Sequence, residues 1–222
     1  MDSALGIAAL WLAFAGSHMV LSSRGLRPRV VAALGNEFRF QGLYSLIALG
    51  IFIPLVATYF RHKHEGPYFG SLAGVPGLRW LMFAGMGAAF ALLVASLVRP
   101  SPASVVPGDA EVRGVYHVTR HPLLMSLGMF GVLHLCVAAI HATELAFFAG
   151  FPVFVVVGVR HQDRRKLVSN PDFKRFYEAT PFLPFSRPSG VVAAVREQPL
   201  PIAAGVALAV LVRWFHPVLF GP

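Results

Sequence analysis

The chain has 222 residues, of which 56% are hydrophobic and only 13% are charged. Soluble domains carry about 25% charged residues, so the polar groups needed to cover a water-facing surface are missing, and a mean hydropathy of +0.64 agrees. Composition excludes a soluble protein and long disordered stretches. It predicts an all-α, polytopic transmembrane bundle forming one integral membrane domain, residues 1–222.

About 20 apolar residues rising 1.5 Å each cross the hydrocarbon core. Six stretches meet that length in chain order: Ala4–Ser22, Phe40–Phe60, Leu78–Val98, Pro122–Ile140, Ala142–Val159 and Leu200–Phe220. The first has no basic n-region or clear cleavage site, so it is read as a retained span. The fourth and fifth are separated by so few residues that they form a tight hairpin. Gly85, Gly87, Ala88, Gly128 and Gly131 in the third and fourth spans permit close helix approach.

The formal net charge is +9. Its basic residues sit in short loops between apolar runs, which encodes membrane orientation and gives no reason to expect a nucleic-acid partner. Fifteen Lys and Arg fall on one side of a six-span topology and three (Arg61, Lys63, Arg79) on the other. The richer side is expected to be cytoplasmic, with both termini outside. The 160–197 segment, on that side, reads as a basic amphipathic helix with Leu167, Phe173, Phe176 and Tyr177 as interfacial anchors, followed by an irregular Pro-rich stretch. It either lies on the headgroups or covers the ends of the spans. Cys136 is the single cysteine; no intrachain disulfide is possible, and a buried inert thiol is expected.

Ionisable side chains within a bilayer are functional candidates. His18 lies about 6 Å from the inner end of the first span, and His134 about 18 Å from the inner start of the fourth. Imidazole is the common axial ligand of haem iron, so a haem held between helices is the sharp reading of this pair. A neutral imidazole satisfied by its own helix is the plain one. Two axial nitrogens sit about 4 Å apart across an iron, while the depth estimates differ by about 12 Å; His117 or His121 matches His18 better in depth.

A second constellation, Gly114-Val115-Tyr116-His117-Val118-Thr119-Arg120-His121-Pro122, stands at the inner start of the fourth span. Pro122 suits a first helical turn, and Arg120 with His121 at a helix N-terminus favours an anion such as a propionate or phosphate. Asp163 could pair with Arg120 across the inner ends. Trp11, Met125 and Met129 read as packing, and His62, His64, His141 and His216 as interfacial. CxxCH, CxxC, Walker A and GxGxxG patterns are absent.

The segments GSHMVLSSRGLRPRV, GVYHVTRHPLLMSLGMFGVLHL and HQDRRKL resemble the NnrU family, which includes plant 15-cis-zeta-carotene isomerase. YFRHKHEGPYFGSLAGVPG and NPDFKRFYEATPFLPF extend the likeness, and TRHP followed thirteen residues later by His134 is its most specific part. The resemblance implies a membrane protein binding haem b, with the metal on His18 and His134, His121 nearby, and Arg120 or Arg24 pairing with propionates. It implies cis–trans isomerisation of a lipophilic polyene or related haem chemistry; a cysteine of the isomerase falls on Gly131. The bacterial members imply a multi-pass protein of the bacterial inner membrane, whose partners are the lipid bilayer and a lipophilic small molecule. A non-enzymatic nitric oxide or haem-handling role is the alternative. GVYHVTRHP also resembles membrane methyltransferases of the isoprenylcysteine type. That likeness implies S-adenosylmethionine as cofactor, with Arg120, His121 and Tyr177 lining its pocket, although HQDRRK stands where two glutamates are expected.

Overall fold

The computed structural model describes residues 2–104, 108 and 110–220. Its helices are α1 (Asp2–Leu21), α2 (Leu26–Leu34), α3 (Glu37–Arg61), α4 (Leu78–Val98), α5 (Pro122–Val137), α6 (Ala142–Ser169), α7 (Pro171–Ala179), α8 (Pro188–Glu197) and α9 (Pro199–Phe220), with a 3-10 turn at Gly114–His117. Strands β1 (Tyr68–Gly70) and β2 (Ile140–His141) form one small antiparallel ladder. The fold is an all-α bundle.

Five helices, α1, α3, α4, α6 and α9, are long and apolar enough to cross a membrane. The fourth expected span is shorter than the sequence suggested. α5 stops at Val137 after 16 residues, about 24 Å, because the chain turns extended at Ala138 to enter the β1–β2 ladder. α6 compensates with 28 residues and carries Asp163, Arg164, Arg165 and Lys166 beyond its apolar part.

The helices pack in the lateral order α3–α1–α6–α5–α4–α9. They are apolar around most of their circumference, as bilayer-embedded helices are, and α9 buries only Gly205 while Leu200, Trp214 and Val218 face outward. The central seam is aromatic: Ile7, Trp11, Leu55, Tyr59, Phe147, Phe148 and Phe151 form one buried cluster. Two glycines permit it. A Cβ on Gly150 would fall 2.1 Å from the Trp11 indole nitrogen, and one on Gly131 would fall 2.4 Å from the Phe148 carbonyl oxygen. Trp11 Nε1 donates to the Phe147 carbonyl at 3.0 Å, so its polar edge is satisfied inside the bundle.

The 160–197 segment corrects the expectation of interfacial anchors. Phe173 and Phe176 are wholly buried with Ala103 and Tyr116, and Leu167 and Tyr177 pack against the same cluster. Its Pro-rich part also contains α8, begun by Pro188 in the first helical turn.

Candidate functional site

His18 and His134 are built alike. Each lies three residues before the end of its helix and turns Nδ1 back on the carbonyl four residues earlier: His18 to Phe14 and His134 to Phe130, both at 2.8 Å. A carbonyl only accepts, so Nδ1 carries the proton and donates. Nε2 is thereby left as the lone-pair nitrogen in the neutral ring. Each imidazole also leans on that phenylalanine, with centroids 4.2 Å apart in both cases.

The two rings do not meet. α1 begins near the β1–β2 end, where Ser3 donates to Glu65 at 2.7 Å, and runs away from it, so His18 lies toward the other end. α5 runs back toward the ladder, so His134 lies close to it. His18 contacts Tyr44 and Phe154, while His134 stacks on Phe148 with centroids 4.7 Å apart. Phe148 and Phe154 are six residues apart on α6, about 9 Å along its axis. Trp11, Phe130 and Phe151 occupy the levels between. The imidazoles thus terminate a column of aromatic rings. At Gly131, α5 meets α6 so closely that a Cβ would also fall 2.8 Å from Phe151 Cβ and Pro152 Cδ. A cysteine side chain has no room there.

Arg120 and His121 are buried at the start of α5, and both reach Asp163 on α6. Arg120 Nε donates to Oδ2 at 3.1 Å, and His121 Nε2 lies 2.7 Å from Oδ1. Arg120 Nη1 donates to the carbonyls of Tyr177 and Thr180 at 3.1 and 2.9 Å, and the guanidinium lies 4.0 Å from the Tyr177 ring centroid. The Arg120 N–H and the Thr119 hydroxyl donate to the carbonyls of Pro181 and Phe182. The segment after α7 is therefore strapped across the ends of α5 and α6. Burial holds the His121 imidazole below its ordinary basicity, against the opposing pull of the Asp163 hydrogen bond. The Asp163 charge already faces Arg120, so a second cation there would lack a counter-charge. Arg24, more exposed, donates to the Arg164 carbonyl.

Sequence reasoning passed over a third group, at the β1–β2 end. Glu144 is fully buried in the first turn of α6, with His64 Nδ1 3.3 Å from Oε1 and His141 Nδ1 3.5 Å from Oε2. An acidic residue at the head of an apolar helix, three positions after a histidine, was its sequence signal. Cys136 lies two positions beyond His134 and is half-buried, less covered than expected.

A family model described as NnrU protein matches residues 7–222. The chain belongs to the NnrU family. No curated protein and no solved structure matches it. The donor chemistry of this NnrU chain suits haem, since two imidazoles with anchored Nδ1 and an available Nε2 stand in apolar helices. Their separation does not suit a single iron shared by both in this packing. Arg120 is directed to Asp163 and to main-chain carbonyls.

Proposed function

We propose that this NnrU protein binds haem b inside the membrane and acts on, or responds to, a lipophilic molecule. The observation that carries the reading is the shared presentation of His18 and His134, with Nδ1 spent on a helix carbonyl and Nε2 left for a metal. A carbonyl on the second ring nitrogen fixes the tautomer and raises the basicity of the ligating one. Because the two rings stand at different levels along α6, either His18 or His134 would hold a haem by itself, and the two would not share one. When bound, the group supplies an iron able to push electron density into a polyene double bond or to take nitric oxide. The chain's own part is to exclude water: Phe14, Tyr44 and Phe154 surround His18, and Phe130 and Phe148 flank His134. Cis–trans isomerisation of a lipophilic polyene is the activity we assign.

An absorption spectrum of detergent-purified protein from haem-supplemented cells tests this. A Soret band is expected, unchanged in His216→Ala, and its absence from the wild type overturns the reading. Conversion of a cis-polyene supports the isomerase. A spectral response to nitric oxide without conversion leaves the accessory, haem-handling role. Calorimetric binding of S-adenosylhomocysteine by a protein without a Soret band transfers the assignment to methyl transfer.

A further inference from the structure

His64, His141 and Glu144 bring one ligand atom each to within 4.8 Å of one another, at the end of the bundle opposite the Arg120–Asp163 strap. We propose that they form a divalent transition-metal site of the zinc class, independent of haem. Four observations support it. First, the donors are close: His64 Nδ1 lies 3.3 Å from Glu144 Oε1 and His141 Nδ1 3.5 Å from Oε2, one ring facing each carboxylate oxygen, near the roughly 3.3 Å between neighbouring donors of a tetrahedral zinc site.

Second, one ring nitrogen of the group has no ordinary partner although it is buried. His141 Nδ1 faces the Glu144 main-chain N–H in the first turn of α6 in a capping-box arrangement, but closes no hydrogen bond of ordinary geometry. Third, the carboxylate is preset. Glu144 accepts the main-chain N–H of His64 at 2.9 Å and that of His141 at 3.1 Å, which fixes its oxygens between the two rings. Fourth, His64 adopts a left-handed backbone with φ 66°, uncommon for a residue with a Cβ. That conformation is held by its N–H bond to Glu144.

Two imidazoles and one carboxylate are the donor set that suits zinc and its neighbours, whereas calcium and magnesium take oxygen ligands. Three protein donors leave a fourth position for water, and half of the His64 side chain is exposed, which gives a metal its entry. The ion would clip the segment after α3 to the α5–α6 turn, adding to the contact made by the β1–β2 ladder.

Tag-free protein in detergent, titrated calorimetrically with zinc chloride, is expected to take up one equivalent and to gain thermal stability. Calcium chloride should do neither. Cobalt(II) should give the visible bands of a tetrahedral ion. His64→Ala, at a half-exposed position, should weaken zinc at least about tenfold, with its thermal unfolding in the absence of metal checked against the wild type; His141→Ala should do the same. His18→Ala/His134→Ala should bind zinc as the wild type does, whatever becomes of its haem spectrum. No zinc uptake by the wild type, or equal affinity in His64→Ala, overturns the site.

Discussion

Arg120 and Asp163 form a buried ion pair between the start of α5 and the far part of α6, with Nε 3.1 Å from Oδ2 and side chains only 7% and 8% exposed. The pair is completed by carbonyls on one side and His121 on the other.

Removing one member strands the other in a place without water. Asp163→Asn or Arg120→Ala is expected to cost about 3–5 kcal/mol, the usual loss when a buried pair is broken from one side. Thermal unfolding in detergent measures it. Arg120→Ala/Asp163→Asn together should lose less than the two single changes added, and strict additivity would remove the coupling inferred from the geometry.

Acid should weaken the same junction. The unfolded His121 takes its proton near pH 6.5, whereas the folded one resists until a lower pH because burial disfavours the imidazolium. Between those values the unfolded chain binds more protons, so stability rises with pH. The contribution is present above pH 6.5 and is lost as pH falls through the folded value. Thermal midpoints between about pH 7.5 and about pH 5 should slope more steeply for the wild type than for His121→Gln. Equal slopes would assign the acid sensitivity elsewhere.

Gly131→Cys tests the α5–α6 contact. Its Cβ would sit 2.4 Å from the Phe148 carbonyl oxygen, so the helices must part, at a cost of about 1–3 kcal/mol. Gly131→Ala should lose nearly as much, because the first side-chain atom does the damage. A melting temperature equal to that of the wild type would show that the contact gives way freely.

If each iron takes one imidazole, the single variants of the membrane histidines will differ from those of a shared pair. Either His18→Ala or His134→Ala should retain a Soret band while the other loses it or halves its haem content. Identical displacement of the band in both variants would mean that the aromatic column opens and the rings converge on one iron.

Five of the six expected spans were legible because long apolar runs allow little else, while the fourth was read too long; Arg120 with Asp163 was legible because both stand toward the basic ends of their segments. What covers an apolar face was not. Phe173 and Phe176 have the spacing of a membrane-facing stripe, yet Tyr116 and Ala103 lie over them, and only tertiary structure distinguishes the two. The Pro-rich stretch hid α8, although Pro188 and the Val191–Ala194 spacing were compatible with a helix. His64 and Glu144 are 80 positions apart, and the β1–β2 ladder that joins their neighbourhoods consists of three residues and two. Strands so short leave no periodicity to read. Gly131 invited a chemical reading as a missing ligand, while its structural reason, the closeness of two backbones, lies on the partner helix.

The strap over the basic end is read through main-chain oxygens: Tyr177, Thr180, Pro181 and Phe182 all offer their carbonyls to residues 119 and 120. Replacing the side chain of Thr180 therefore changes little of what Arg120 grips, whereas deleting one residue of that stretch shifts every acceptor out of phase. The hold on this stretch depends on the path of its backbone and so on its length.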